Sequence, residues 1–545
     1  MSTLISPITR RRIAAFSLAL FPVGAWMTAA TYGSGMAWRD WNSSIAWHFV
    51  KLTPAYPLLY GALGIGLVLA LALILFVGRT AKTEGFEGAA YKRFIRGTRM
   101  TTARHLTKLC TEPGKQQIDI AGIPMPTANE NLHLLVSGAT GSGKSVLLRN
   151  MAATVLARST ASVNKRLPGQ KPLRNDRMIV IDPNGDMLSK FWQPRDVILN
   201  PYDARSEGWS FFNEVRADYD WKRLAHSMVP MSQDKNAEEW NDFGRLLLRE
   251  TAKKLYQLQG TDASIMDLFR LCTIEDPKVL KQFLDGTLAE SLFVGSSEAS
   301  KALSSARFVL SNKLSEHTGM KPVPFSIRNW LDDPKAGNLY INWREDMMHA
   351  MKPLVSAWVN VFITSILSMP EHTGRRWWLF IDELASLEGL PSLEAGLTKG
   401  RKNGLRIVAG LQSTSQLEHI YGRTMAATLR ASFRNLAVLG GSRTDPQTAS
   451  DMSESLGKHE IERPKFSVSR SVDHRNTSDN TDRTTEDVVT AAQIQALPVL
   501  EGYVAMANGL PVARVKIPYQ WFDEHATSFL EVEGPSIGHH EPSHK

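Results

Sequence analysis

Two apolar stretches open the chain. Ile13 to Trp38 and Leu52 to Gly78 contain no charged residue, and each exceeds the ~20 residues a helix needs to cross a hydrocarbon core of ~30 Å. The second, with Gly66-Leu-Val-Leu-Ala-Leu-Ala-Leu-Ile-Leu-Phe-Val77, is almost purely aliphatic, while the first holds Pro22, Gly24 and small polar residues. Beyond residue 130 the pattern changes. Apolar runs too short for helices occur at 132–137, 178–181, 338–342, 377–381, 405–411 and 435–439. Between them, Val146–Arg158 and Met348–Leu367 show helical period. Alternating strands and helices predict an α/β body with a mostly parallel sheet covered on both faces. Asp218 to Gly319 interrupts this alternation. Its apolar residues recur at heptad-like spacing (Phe243, Leu246, Leu247, Leu248, Thr251, Leu255, Leu258), which predicts an all-helical insert. Residues 461–486 are rich in Ser, Thr, Arg and Asp and predict a hairpin or a mobile loop. From about Thr527 the apolar periodicity ends, which predicts a disordered tail whose histidines (His539, His540, His544) are solvated.

These shifts divide the chain into a membrane anchor with two transmembrane helices (1–78), a basic juxtamembrane segment (79–108), the first part of a nucleotide-binding domain (109–217), the all-α insert (218–319), the second part of the nucleotide-binding domain (320–526) and the tail (527–545). An Arg10–Arg12 cluster before an apolar run also fits a cleaved signal peptide, but a second span following closely favours an anchor.

The formal charge of +9 over 545 residues is unevenly placed. Residues 1–78 carry five Lys/Arg against one acid, and residues 79–108 carry eight against two, so the remaining 437 residues are close to neutral, at −1. High pI is therefore no nucleic-acid signature for the body, and any DNA site there must be a local patch or a pore lining. Basic residues flank the outer ends of the two spans, and the loop between them holds only Arg39 and Lys51. This places both termini in the cytoplasm and a short periplasmic hairpin around 36–53. The 79–108 cluster suits anionic headgroups. Only Cys110 and Cys272 occur, far apart, which excludes a disulfide scaffold, a structural zinc module and an iron–sulfur protein.

Gly138-Ala139-Thr140-Gly141-Ser142-Gly143-Lys144-Ser145 joins a predicted strand to a predicted helix. Glycines let the backbone wrap a phosphate with N–H groups pointing inward, and the helix N-terminus adds partial positive charge. Lys144 then reaches the β/γ-phosphates and Ser145 binds Mg²⁺. Such a loop needs an acidic partner at a neighbouring strand end. Trp377-Trp-Leu-Phe-Ile-Asp382-Glu383 supplies Asp382 for the Mg²⁺ shell and Glu383 as general base. Met178-Ile-Val-Ile-Asp182-Pro-Asn-Gly-Asp186 competes, although Asp182 fits a strand-ending turn as well as a nucleotide contact. Gln412, ending the run from Leu405, is placed to bond water and the γ-phosphate. The basic turn Lys399-Gly-Arg401-Lys402 precedes it, and spacing alone favours a solvated turn there.

The order of these features is more specific than any one of them. Two N-terminal spans, Gly-Ala-Thr-Gly-Ser-Gly-Lys-Ser, Ile-Asp-Pro-Asn-Gly-Asp, a helical insert, Phe-Ile-Asp-Glu-Leu and Gly-Leu-Gln-Ser together resemble the type IV secretion coupling proteins of bacterial conjugation, the TraD/TrwB family, and within it the TrwB-like subgroup. The resemblance implies a RecA-like P-loop ATPase using ATP and Mg²⁺, assembled as a homo-hexamer in the bacterial inner membrane with its ATPase body cytoplasmic. DNA, single-stranded during transfer, the relaxase–DNA complex and the channel components are the implied partners. It also implies that Arg401 acts in trans on a neighbour's γ-phosphate. Two functions remain open: an ATP-driven DNA translocase that recruits the relaxase–DNA complex to the channel, or an ATP-switched docking scaffold without processive pumping. An ABC transporter is disfavoured, because no LSGGQ-like signature lies between the loop and the Asp-Glu strand.

Overall fold

The computed structural model describes residues 7–80, 93–164, 176–232, 234–294, 297–321, 324–371, 374–470 and 475–532. They fall into two compact bodies, Met1–Thr98 with Lys458–Val488, and Arg99–Gly457 with Val489–Lys545.

In the first body, helices Pro7–Ser34 and Pro57–Thr80 pack against each other. A Cβ on Gly66 would come within 2.5 Å of Phe21 O and Pro22 Cα, so glycine permits the helices' close approach there. Gly61 and Gly64 meet nothing within 4 Å. Between the helices lies Ser43–Leu52, capped by Asn42 Oδ1, which accepts from Ile45 N at 3.0 Å. Trp26 Nε1 donates to Thr53 Oγ1 and Trp41 Nε1 to Thr31 Oγ1, both at 2.9 Å. These bonds satisfy indole donors among apolar neighbours. Ile13–Ser34 and Pro57–Leu75 are long and apolar enough to cross a membrane. Within the polar stretch the structure forms a hairpin: Lys458–Arg470 pairs antiparallel with Arg475–Asp487, and Arg93–Gly97 adds a third strand. Gly97 has φ +103°, and a Cβ there would lie 2.4 Å from Lys458 O. Of the basic cluster, Lys82 and Lys92 lie outside the described residues.

The second body is built on a ten-stranded sheet. Its spatial order is Met100–Thr102, Val512–Lys516, Glu501–Ala505, Asn435–Leu439, Leu134–Ser137, Leu405–Leu411, Arg376–Ile381, Asp176–Pro183, Leu339–Trp343 and Val197–Ile198. Every neighbouring pair is parallel except the two made by Glu501–Ala505, which runs against the rest. The sheet is thus mostly parallel, as expected. Both faces are buried, because successive side chains point to opposite sides. Trp377, Leu379 and Ile381 enter one core, with Ile179, Ile181 and Ile407; Trp378 and Phe380 enter the other, with Met178, Val180 and Val408.

Helix Lys144–Asn164 follows the loop strand directly. Helix Met348–Ser368 leads toward the Asp-Glu strand and buries Leu354, Trp358 and Phe362. The segment Glu345–Ser368 is apolar enough to span a membrane, yet 72% of its most apolar 18-residue window is buried within the protein, so its apolarity serves the core. Between Asp218 and Gly319 the described residues form helices and turns. The longest, Lys235–Gln259, buries Leu247, Leu248, Ala252 and Leu255. Leu258, read from spacing as part of this apolar face, is exposed.

Thr527 to Val532, read from composition as part of the tail, belong to the fold. Ala204 N donates to Leu530 O at 2.7 Å, Val532 N to Tyr202 O at 3.1 Å and Arg205 Nη1 to Thr527 O at 2.7 Å. Thr527 to Val532 is ordered by these bonds to the 202–205 turn, which leave no apolar periodicity to read. Residues 533–545, with the three tail histidines, lie outside the described residues.

Candidate active site

The loop 138–143 is fixed at its base by the sheet. Gly138 N donates to Leu411 O at 3.1 Å and Ala139 N to Gly440 O at 2.8 Å, binding it to the ends of two neighbouring strands. Gly141 and Gly143 adopt φ of +76° and +108°, conformations that a side chain resists. Lys144 Nζ folds back and donates to Gly138 O at 2.8 Å. Burial lowers the Lys144 pKa, while Glu383 and Asp382 oppose that shift.

Ser145, at the start of the helix, points at the Asp-Glu strand. Its Oγ donates to Asp382 Oδ1 at 3.1 Å and lies 3.2 Å from Oδ2, joining residues 237 apart in sequence. A hydroxyl and a carboxylate at this separation are the hard oxygen donors that suit Mg²⁺. Glu383 lies beside them. Its Oε1 accepts from Ala385 N at 3.4 Å, and its Oε2 is buried without a hydrogen-bond partner. Burial pushes the Glu383 carboxyl up to about 7, against the pull of Lys144. Burial likewise raises Asp382, with Ser145 and Lys144 opposing. Thr140 Oγ1 donates to Gln412 Oε1 at 3.3 Å, placing the strand-end amide against the loop.

The loop, the Asp-Glu pair and Gln412 line one cleft of about 360 Å³, with Gly138 and Ser142 outside its lining. Ala139, Thr140, Gly141, Gly143, Lys144, Ser145, Val146, Asp382, Glu383 and Gln412 line it together with Val499, Leu500 and Tyr519, and Leu500 lies against the loop at Gly143. Ser142 is buried under the loop, its Oγ without a partner. The glycine cradle, the Ser145–Asp382 donor pair and the unpartnered Glu383 oxygen together fit a nucleoside polyphosphate with its divalent cation.

Two other candidates lie elsewhere. Asp182 Oδ2 accepts from Leu188 N at 2.7 Å, which holds the turn at Asn184 and Gly185, both of positive φ. Burial pushes its carboxyl up to about 7. It does not line the cleft, so its geometry is that of the strand-ending turn. Arg401 sits on the turn Gly400–Asn403, before the seven-residue strand whose far end carries Gln412. At ~3.3 Å per residue, roughly 20 Å separates it from this chain's own cleft. The Asn131 amide, turned with its oxygen toward the guanidinium, accepts from Arg401 Nε at 3.2 Å.

Sequence reading missed Val499, Leu500 and Tyr519, which follow no motif and stand more than 350 residues beyond the loop. Leu500 adopts φ +63° and its N donates to Ser142 O at 3.1 Å. Adjacent prolines, Pro498 and Pro518, are the only sequence hint of constrained backbone.

Residues 117–518 match the family described as the type IV secretion-system coupling protein DNA-binding domain. Coupling protein TraD of Escherichia coli (strain K12) is 28% identical over 492 residues, covering 86% of this chain. The chain spans 64% of TraD's length. Among solved structures, the unbound bacterial conjugative coupling protein TrwBdeltaN70 is 55% identical, with a TM-score of 0.75 over 82% of this chain and 99% of that one. TrwB in complex with ADP and Mg²⁺ gives 55% and 0.73, and its complex with the non-hydrolysable ATP analogue ADPNP 55% and 0.74; each match covers 82% of this chain and all of the other.

Proposed function

The chain belongs to the type IV secretion-system coupling proteins and has their RecA-like P-loop ATPase fold, and from that premise we propose that it hydrolyses ATP to move DNA toward a secretion channel in the bacterial inner membrane. The observation that carries this reading is the Ser145–Asp382 contact with Glu383 beside it. It assembles a cation site and a base from segments that only the fold brings together. The TrwB complexes with ADP and Mg²⁺ and with ADPNP support the same ligands here.

On this reading, the loop N–H groups and Lys144 hold the phosphates, Lys144 exchanging Gly138 O for phosphate oxygens. Ser145 and Asp382 hold Mg²⁺, which when bound neutralises charge on the β- and γ-phosphates. Glu383 takes the proton of the attacking water through its free oxygen, and Gln412 orients that water from across the loop. Arg401, too far from its own cleft, serves a neighbour's in a homo-hexamer. The two apolar helices anchor the protein with its ATPase body in the cytoplasm. Its partners are DNA, the relaxase–DNA complex and the channel components.

Displacement of streptavidin from biotinylated single-stranded DNA by the full chain in lipid nanodiscs tests the motor. The account predicts ATP-dependent displacement that Glu383→Gln abolishes while leaving DNA binding intact. Steady ATP turnover with no displacement would instead favour the ATP-switched docking scaffold.

A further inference from the structure

The Asp-Glu strand runs on into a turn that other elements hold. Glu383 O accepts from Ser386 N at 3.1 Å and from Ser386 Oγ at 2.7 Å, and Glu383 Oε1 accepts from Ala385 N at 3.4 Å. The backbone of 383–386 thus sets where the carboxylate lies. Two lysines reach this segment from different elements. Lys352, on helix Met348–Ser368, donates from Nζ to Ala385 O at 3.4 Å. Lys313, in the last turn of helix Ser297–Leu314, donates from Nζ to Glu388 Oε1, and the two side chains of this ion pair are 24% and 19% exposed. That helix belongs to the all-α insert, and Leu310 and Leu314 on either side of Lys313 are buried, which fixes the ammonium's approach. Glu388 N donates to Ser356 Oγ at 2.8 Å, while Glu388 Oε2 is buried without a hydrogen-bond partner. Burial lowers the Lys352 pKa, Glu388 opposes that shift and Lys313 adds to it, so both lysines lie within electrostatic reach of one carboxylate.

Resting on the reading of Glu383 as the base, we infer that Lys313 is a positioning residue for it, through which the all-α insert controls hydrolysis. Lys313 neutralises Glu388, and this leaves Lys352 on Ala385 O. Drawing Lys313 away, by a shift of the insert, strands a largely buried carboxylate without its partner, which is strongly unfavourable. Lys352 is the cation within reach, and pairing with Glu388 takes it off Ala385 O. The 383–386 turn then relaxes, and the Ala385 N–H loosens its hold on Glu383 Oε1. Lys313, Lys352, Ala385 and Glu388 all stand outside the cleft lining, so the effect falls on the chemical step and not on nucleotide affinity.

Steady-state ATP turnover and calorimetric titration with ADP, each with Mg²⁺ on the full chain in nanodiscs, test this. Lys313→Met should lower kcat roughly ten-fold, as displacing a catalytic group does, with KM for ATP and ADP affinity unchanged. Lys313→Arg, which keeps the charge, should retain turnover. Lys352→Met, which empties Ala385 O directly, should lower kcat as Lys313→Met does. The sharpest variant joins Lys313→Met to Glu388→Gln. With the carboxylate's charge gone, nothing draws Lys352 from Ala385, and turnover should recover toward wild type. A double variant as slow as Lys313→Met would overturn the inference, as would unchanged kcat in Lys313→Met or Lys352→Met. So would a matching loss of ADP affinity, which assigns Lys313 to the fold of the site as a whole. Wild-type turnover that survives Glu383→Gln would instead refute the reading of the base on which this inference rests.

Discussion

Glu383 shows how burial makes an ordinary side chain reactive. A carboxyl pushed up to about 7 is poised near neutral pH, where a general base combines availability with proton affinity. It acts only when deprotonated, so kcat/KM for ATP should fall about ten-fold per pH unit below that value. Glu383→Gln should lower kcat by ~10²-fold or more and remove this acid limb. A pH–rate profile of both proteins checks it, and an unchanged limb in the variant would assign the base elsewhere. The same shift bears on stability. Between pH 4.5 and about 7 the native carboxyl keeps a proton that the unfolded chain releases, so its contribution to stability falls as pH rises through that window. The variant, free of that loss, should melt no lower than wild type above pH 7. At this scale the sequence was legible where chemistry leaves a local signature: a Gly-rich loop before a helix, or an apolar run ending in Asp-Glu. Val499 and Tyr519 were not, because an apolar side chain that lines a cleft looks like any other in sequence.

Strands turn those residues into a site, and their spacing leaves little tolerance. Gly410 lies on the strand next to the Asp-Glu strand, and a Cβ there would fall 1.9 Å from Asp382 O. Gly410→Ala must therefore push Asp382 away from Ser145. Turnover should drop on the order of a hundred-fold, the usual consequence of misplacing a catalytic group by about 1 Å. Steady-state ATP hydrolysis measures it, and near-normal turnover would mean that Asp382 need not keep its place. The central strands could be read from sequence because burial on both faces makes each a continuous apolar run. Glu501–Ala505 and Val512–Lys516 escaped, being short and interrupted by Gly502 and Arg514. Their signal was the connecting Asn508-Gly509, with φ of +68° and +74°, the backbone that a tight hairpin demands. The ordered segment 527–532 escaped for another reason: its backbone bonds to residues more than 300 positions away.

The molecule as a whole joins an apolar anchor to an enzyme body of nearly neutral charge. The anchor was plain in the sequence, because a hydrocarbon core demands long uncharged runs and nothing subtler. Hydropathy alone also admits Glu345–Ser368, but that segment carries Glu345, Asp346 and Lys352 and packs its apolar side chains inside the protein. A body with charge −1 over 437 residues offers no general attraction to phosphates, so DNA contact must come from local Lys and Arg groups and should weaken steeply with salt. The most direct test is steady-state ATP turnover of the full chain in lipid nanodiscs, with and without single-stranded DNA, alongside Lys144→Ala. The account predicts turnover that DNA raises, that added salt returns toward the basal rate and that Lys144→Ala abolishes. Turnover indifferent to DNA at low salt would contradict the claim that this site drives DNA movement.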